Sequence, residues 1–598
     1  MMITKKNKTS AEKKAEAARK RSRKKQLELV FTEKILPTTR ILQGISNRSN
    51  ILQENIGNQG HKFDDLYPLL CRKEMFIQAL GNLQKNKGSM TAGTNKETID
   101  GISMQRIEEL VSRIKKGTFR FSPFRRIFIP KPGKKKKRPL GIPNFTDRLV
   151  QEAIRMILDS IYEPIFQKLD VNYGFRKEKS AHHAMHRIKK LAPACVTAIE
   201  GDIVGAYDNV VHDKLMEILR RTISDEKFLS LLKSGLSSGL LLFGKYKDTI
   251  IGTPQGGIAS PLLFNIYMHE FDKFVESSLK EYITKYNQKM GRKDKPLTME
   301  YQRISRRLGY ARKAFKELKV IPVEHRTEDQ KKLIRFWKKR KIETNMRSRV
   351  PCLDVRKKNI RIIYTRYADD WIILTNGTIK FAAQLKKIIT EWLRQNLGFE
   401  LDEKKTLITS LVKDRAKFLG FAINTYRNRR LGVNEYGDLI RDAGWEMRFS
   451  IDMDRMLDNL AIKGFCRKDK NYRPIAKSPF TLLRIEEIII KYNQMILGAA
   501  NYFLPVIDTK KTYIRLHYIY EYSCYGTIAK KLKRNISKIR QRFGKPLTYS
   551  LMERTRLKKL NKTTEKERAF TLYDYLTINE KLLEARIKFK TGREIIVR

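Results

Sequence analysis

Cysteine is scarce. The chain has five (Cys71, Cys195, Cys352, Cys466 and Cys524) in 598 residues, widely separated and with no CxxC pair. That excludes a zinc ribbon or a disulfide framework and suits a reducing compartment. Histidine is also sparse, at eight, and apart from His182, His183 and His186 in HHAMH the histidines are dispersed. His182 and His186 have the i, i+4 spacing of a helical zinc pair, but no acidic or cysteine third ligand lies near, so HHAMH is not read as a metal site. No Ser/His/Asp or Cys/His constellation is present. Nowhere do the ~18 consecutive apolar residues of a membrane-spanning helix occur. Acidic residues are few as well: 64 Asp and Glu stand against 125 Lys and Arg, a net charge of +61. So large an excess repels itself and implies a polyanionic partner, nucleic acid first. What is abundant is core-forming residue, 41% hydrophobic and 10% aromatic. That suffices for several folded domains at roughly 150 residues each.

Residues 1–27 hold eleven Lys or Arg against Glu12 and Glu16. The stretch lacks the apolar segment of a signal peptide and is Lys-rich where transit peptides are Arg- and Ser-rich. It reads as a basic arm, with a targeting segment as the alternative. Globular sequence begins near Phe63. RRIFIPKPGKKKKRPLGIP, residues 125–143, predicts two short strands around a Pro-Gly-Lys turn. A basic insertion is expected from about 275 to 361. Its residues 281–360 carry 25 Lys or Arg against 9 Asp or Glu, with helical periodicity from Tyr301 to Leu318. Backbone binding to nucleic acid is favoured there over a merely solvated helix pair. Residues 446–540 read as all-helical: Leu482, Ile485, Ile489, Tyr492, Met495, Ile496, Ala499 and Phe503 follow helical spacing. The tail after about Phe543 is basic and weakly patterned.

The most informative residues are Tyr367, Ala368, Asp369 and Asp370. They stand between the β-prone runs RIIYTR and WIILT, which places the Asp pair at the tip of a hairpin. Adjacent carboxylates at a turn repel each other, a cost tolerated most readily where a cation resides. In VTAIEGDIVGAYDN an apolar run ends in Asp202 before a turn. Carboxylates from two strands can hold two Mg²⁺ ions, which activate a 3′-hydroxyl and stabilise a leaving pyrophosphate. GTPQGG, residues 252–257, is not a phosphate loop, because no Gly-Lys-Ser/Thr follows.

The ordered series FRRIFIPKPGKKKKRPLGIPNFTDRLVQEAI, YGFRKEKSAHHAM, EGDIVGAYDNVVHDKL, GTPQGGIASPLLFNIYMHEFDKF, YTRYADDWII, DEKKTLI and FLGFAI resembles the reverse-transcriptase blocks of group II intron-encoded proteins. NKGSMTAGTNKETIDGIS resembles that family's additional N-terminal block. IIIKYNQMILGAANYF and YSCYGTIAKKLKRNISKIRQRFGK resemble its maturase domain. The resemblance spans about Phe63 to Lys545.

It implies an α/β right-hand polymerase: fingers and palm over 63–440, an all-α thumb and maturase domain over 441–545, and basic extensions at 1–62 and 546–598. The tail would be a DNA-binding segment. Asp202, Asp369 and Asp370 match the catalytic, metal-binding triad for two Mg²⁺. Lys131 and Arg138 match basic residues that grip the incoming triphosphate. Tyr207 matches the gate against a ribose 2′-hydroxyl, Gln255 lines the nucleotide pocket, and Gly256 and Gly257 allow close backbone approach. Lys405 matches a basic position of the family block. Tyr492, Asn493, Asn501, Tyr502, Thr527, Lys530 and Lys531 are the candidate RNA contacts, through stacking and phosphate neutralisation.

The implied partners are a group II intron RNA, target DNA and deoxynucleoside triphosphates, without a membrane; the resemblance leaves room for a homodimer. The implied location is an organelle or a bacterial cytoplasm. After Cys524 there is no cysteine and after His517 no histidine, so the H-N-H endonuclease domain of many relatives is not expected. The expected function is RNA-directed DNA synthesis together with assistance to intron splicing. The competing reading is a splicing-only RNA-binding maturase with an inactive palm, which the presence of all three carboxylates disfavours.

Overall fold

The computed structural model describes residues 38–51, 62–86, 88–130, 137–242, 245–247, 256–294, 296–344, 354, 357–427, 431–433, 439–441, 445–557, 562–574 and 577–578. The first part is helical: α1 (residues 38–51), α2 (Tyr67–Leu70), α3 (Lys73–Gln84) and α4 (Met104–Lys115). Strands β1 (Phe124–Pro130) and β2 (Lys137–Ile142) form the antiparallel hairpin expected for 125–143. There follow α5 (Phe145–Leu169), α6 (Ala181–Leu191), β3 (Thr197–Gly201), α7 (His212–Arg220) and α8 (Glu226–Leu236). Short strands β4 (Leu240–Leu242) and β5 (Lys245–Lys247) extend the hairpin into a sheet of order β2-β1-β4-β5.

Helix α9 (Ser260–Phe274) continues through a π turn at Val275–Leu279 into α10 (Lys280–Lys289). Val275, Leu279 and Ile283 are buried, and the Asn287 side chain bonds both the N–H and the carbonyl of Ile360 at 2.9 and 2.8 Å. Residues 275–287 are therefore core, and the inserted part begins beyond them. Among the described residues beyond them, α11 (Met299–Val320) packs on α12 (Glu328–Thr344), so the periodicity at 301–318 does correspond to a helix.

The centre of the molecule is a second sheet, built from β3, β6 (Ile362–Tyr367), β7 (Asp370–Thr375) and, after α13 (Ile379–Trp392), β8 (Leu407–Ser410). Its order is β6-β7-β3-β8, antiparallel throughout. Strand side chains alternate between faces. Ile199, Tyr364, Trp371 and Ile373 enter a core shared with the N-terminal helices, α5 and α9, while Ala198, Ile372 and Leu374 enter a second core shared with the C-terminal helices. Burial on both faces explains why these strands read as nearly continuous apolar runs.

Strands β9 (Ala416–Phe418), β10 (Phe421–Arg427) and β13 (Trp445–Ile451) form a three-stranded sheet, and β11 (Leu431–Val433) pairs with β12 (Leu439–Arg441). Helices α14 (Met453–Ile462), α15 (Ile485–Phe503), α16 (Lys511–Lys531) and α17 (Ile536–Phe543) then pack on the second core. The expectation of an all-helical stretch from 446 fails at its start, because Met447, Phe449 and Ile451 alternate and pair with β10. Leu482 lies before α15 and is 89% exposed, so it is not part of that helix's apolar face. The tail is not patternless either. Strands β14 (Thr548–Leu557) and β15 (Lys562–Thr571) form a ten-pair antiparallel hairpin, anchored on the second core by Leu547 and Leu572. Among the described residues no helix is long and apolar enough to cross a membrane.

Candidate active site

Gly201, the last residue of β3, pairs with Trp371 of β7. One step further along this antiparallel register brings Asp202 beside Asp370. Asp369 occupies the turn between β6 and β7, whose last pair is Tyr367 with Asp370. Carboxyl groups from positions 202, 369 and 370 thus meet at the ends of neighbouring strands. The turn bends because Ala368 takes φ +58°, the left-handed region that a non-glycine residue enters at a cost. Gly201 has to be glycine: a Cβ there would lie 1.9 Å from the buried Trp371 indole, which covers it. Gly201→Ala is expected to destabilise the protein by about 1–3 kcal/mol, the usual scale of overpacking. A fall in melting temperature would be the readout, and an unchanged value would contradict the packing.

The carboxyls perturb one another. Burial, then the charges of Asp369 and Asp202, push Asp370 up to about 6. Burial and the charge of Asp202 also raise Asp369, against the opposing influence of Arg138 and Arg366. Like charges opposite each other on paired strands destabilise a sheet. The Lys405 ammonium, on the turn before β8, offsets part of this. It bonds the Asp202 carboxylate and reaches Asp402 at 2.6 Å. Desolvation works against its charge, but these bonds prevail and hold its pKa above the ordinary lysine value.

The donor set suits a hard divalent cation, which prefers carboxylate oxygens. Burial first, and then neighbouring carboxylate charge, raises both Asp369 and Asp370, and a bound cation would offset both. The carboxylates are not drawn into a finished cage, since among the described residues no three His, Cys, Asp or Glu side chains form a metal-holding group. Asp202 is instead held by Lys405.

Tyr207, in the turn after β3, is half-buried and stacks on Phe264 at 4.4 Å between ring centroids. Burial and the Asp369 charge raise its hydroxyl pKa, while Arg366 and Arg138 lower it. Tyr207 and Arg138 are therefore both within electrostatic reach of Asp369. Arg138 stands exposed on β2, opposite Ile129. Lys131 and Gln255 lie outside the described residues. At Gly256, φ is +119° and a Cβ would come within 2.2 Å of the Gly141 carbonyl. The close approach expected at this glycine is thus to the protein's own β2.

The residues singled out for RNA divide into two groups. The Tyr492 ring has no exposed surface, and its hydroxyl bonds Ser523 and Thr527 at 2.8 and 3.0 Å. Thr527 is equally buried and accepts from the Lys477 N–H at 2.9 Å. Asn493 donates to the Thr571 carbonyl and accepts from the Tyr573 N–H, both at 2.8 Å, which fastens the C-terminal hairpin to α15. Base stacking by Tyr492 does not fit this burial, and these three side chains bind the helical unit together. Tyr502 is half-buried, donating to the Leu419 carbonyl at 2.8 Å and stacking on Phe421. Asn501 and Lys531 are half-buried and Lys530 is exposed; the ammonium groups of Lys531 and Lys530 bond the Thr481 carbonyl and the Ser478 hydroxyl respectively. His182 donates to the Tyr502 carbonyl at 2.7 Å and so links α6 to α15, while His183 bonds Ser180 at the start of its own helix.

Sequence reading missed Asp272 and Arg366, a fully buried ion pair behind the turn. A signal was available: Asp272 and Asn265 fall seven residues apart on the apolar face of α9, and Arg366 stands just ahead of YADD.

A carboxylate turn at the edge of an antiparallel sheet is compatible with a template-directed polymerase, and comparison with known proteins gives the class and the family. Residues 129–287 match the family model "Reverse transcriptase (RNA-dependent DNA polymerase)", and residues 446–589 match "Type II intron maturase". The chain is 36% identical over 509 residues to "Group II intron-encoded protein LtrA" of Lactococcus lactis subsp. cremoris, covering 84% of this chain and 79% of that protein. It is 32% identical over 480 residues to "Uncharacterized 91 kDa protein in cob intron" of Schizosaccharomyces pombe, covering 80% of this chain and 55% of the relative. To "Protein YkfC" of Escherichia coli it is 29% identical over 372 residues, 61% of this chain and 84% of the other. The chain belongs to the group II intron-encoded proteins and is a reverse transcriptase and maturase.

Proposed function

We propose that Asp202, Asp369 and Asp370 hold two Mg²⁺ ions and that nucleotidyl transfer from a 3′-hydroxyl primer along the intron RNA takes place there. The observation that carries this reading is the strand register setting Asp202 beside Asp370, with Asp369 at the adjoining turn. When bound, the ions supply activation of the 3′-hydroxyl and charge stabilisation of the departing pyrophosphate. Residues 63–440 act as fingers and palm, 441–545 as thumb and maturase domain, and 546–598 as a DNA-binding tail. Lys131 and Arg138 grip the triphosphate, Gln255 lines the pocket, and Lys405 turns from Asp202 toward the nucleotide when a cation takes its place.

Intron RNA lies along the surface presented by Asn501, Tyr502, Lys530 and Lys531, with Tyr492, Asn493 and Thr527 supporting it from within. Binding there stabilises the folded intron, and the splicing chemistry stays with the RNA. Target DNA and deoxynucleoside triphosphates are the remaining partners, and a homodimer is the assembly to test. Primer extension by purified ribonucleoprotein tests the polymerase reading directly, since a splicing-only protein would make no DNA.

Tyr207 excludes ribonucleotides by its ring, which is packed on Phe264 and lies within electrostatic reach of Asp369. Tyr207→Ala is expected to raise ribonucleotide over deoxyribonucleotide incorporation by roughly 10–200-fold, the scale of one lost steric contact. Competing extension with the two nucleotide types measures it. Equal discrimination in both proteins would make the ring merely a core residue.

A further inference from the structure

We propose that Asn265, Asp272 and Arg366 are positioning residues for nucleotidyl transfer, a buried clamp that fixes the carboxylate turn and the loop behind it as one unit. The inference rests on the polymerase reading above. Arg366 is on β6, three residues before Asp369, and its guanidinium is wholly buried. Each of its nitrogens is committed. Nε and Nη2 donate to the two Asp272 oxygens at 2.7 and 2.5 Å, and Nη1 donates to the Ala368 carbonyl at 3.0 Å and to Asn265 Oδ1 at 3.2 Å. Tyr364 adds its hydroxyl to Asp272 at 2.8 Å. Burial alone would raise the Asp272 pKa, but Arg366 overrides it and holds the group at about 2, ionised at any working pH.

Two of the three, Asn265 and Arg366, also reach the loop at 171–176. Asn265 Nδ2 donates to the Gly174 carbonyl at 2.8 Å. The Arg366 backbone exchanges bonds with Val171 and Tyr173, each at 2.9 Å. Gly174 presses on the turn so closely that a Cβ would sit 2.4 Å from the Ala368 nitrogen. Ala368, in its left-handed conformation, is thus bonded through its carbonyl by Arg366 and closely abutted by the Gly174 backbone. Asn265 and Asp272 are seven residues apart, two helical turns, on one face of α9.

Stability alone does not account for this arrangement. Apolar residues of equal volume commonly match or exceed a buried ion pair in stabilising a fold. A forked, fully bonded guanidinium fixes a single geometry instead, and that is what transfer requires: an error of about 1 Å in placement costs on the order of 10²-fold in rate.

The test uses full-length ribonucleoprotein carrying Asn265→Ala, which removes the bonds to Gly174 and to Arg366 Nη1 while sparing the Asp272–Arg366 ion pair. Four quantities are measured: kcat and KM for deoxynucleoside triphosphates on a primed RNA template, intron RNA affinity, and the rise in melting temperature on adding MgCl₂. The expected result is a kcat lower by about 10–100-fold, with KM and RNA affinity near wild type and a smaller Mg²⁺-induced rise. An unchanged kcat, an undiminished Mg²⁺ response, or parallel losses of kcat, KM and RNA binding would each overturn the clamp. Should Asn265→Ala not fold, Tyr364→Phe keeps the ring and deletes only the hydroxyl on Asp272; the same pattern is expected at smaller amplitude, and an unchanged kcat overturns the proposal. A wild type that extends no primer would sink the polymerase reading and the clamp with it, whereas an active wild type beside an equally active variant sinks the clamp alone.

Discussion

Replacing Asp369 and Asp370 together by alanine is expected to lower DNA synthesis by at least ~10³-fold while intron binding stays near wild type. On the proposed reading the two functions depend on different surfaces: synthesis on the carboxylates at the ends of β3 and β7, RNA binding on the basic C-terminal helices and extensions. A second readout follows from the pKa shift of Asp370, raised from 3.8 to about 6. A carboxyl raised on folding binds more protons in the native state than in the unfolded one. Its contribution to stability is therefore full below about 3.8 and lost as pH rises through about 6. Above that window a divalent cation relieves the repulsion, so MgCl₂ should raise the wild-type melting temperature more at pH 8 than at pH 5. The doubly substituted protein should show little of this difference. If splicing assistance collapsed along with synthesis in a protein that remained folded, the division between the two surfaces would be wrong.

The second large effect is on RNA affinity, which should fall steeply with salt. A net charge of +61 cannot be neutralised internally. Each phosphate contacted releases condensed counterions, and a protein contacting about six to ten phosphates loses roughly 10³–10⁵-fold in affinity between about 50 and 200 mM salt. Deleting residues 1–27, with their eleven basic side chains, should make the slope of log affinity against log salt shallower. A slope identical with and without the arm would show that it does not touch RNA and would return it to the targeting reading.

Much of this protein is legible in local pattern. The apolar runs around Asp202 and the YADD residues are strands because they alternate between two cores, and a two-residue turn between β-prone runs leaves an Asp pair at its tip. The hairpin at 125–143 and the helix within 299–320 follow from turn residues and periodicity in the same way. The tail hairpin is not legible in this way: strands rich in charged and hydroxyl-bearing residues, such as TYSLMERTRL and KTTEKERAFT, resemble solvated coil until they are paired.

Other features exist only in the folded chain. The order of the blocks, the charge, the carboxylates and the family can all be read along the chain, since composition and short-range spacing survive in one dimension. Tertiary structure decided which of the chosen side chains face outward. Tyr492 and Thr527 have the composition of RNA contacts, yet their hydroxyls are spent on each other and on Ser523, because helix–helix packing turns that face inward. It likewise decided that Lys405 meets Asp202 across 203 positions, and that Asp272 meets Arg366 across 94. Such pairings follow from strand register and from the packing of α9 on the sheet. Both are set by the packing of whole cores, which no local window of sequence contains.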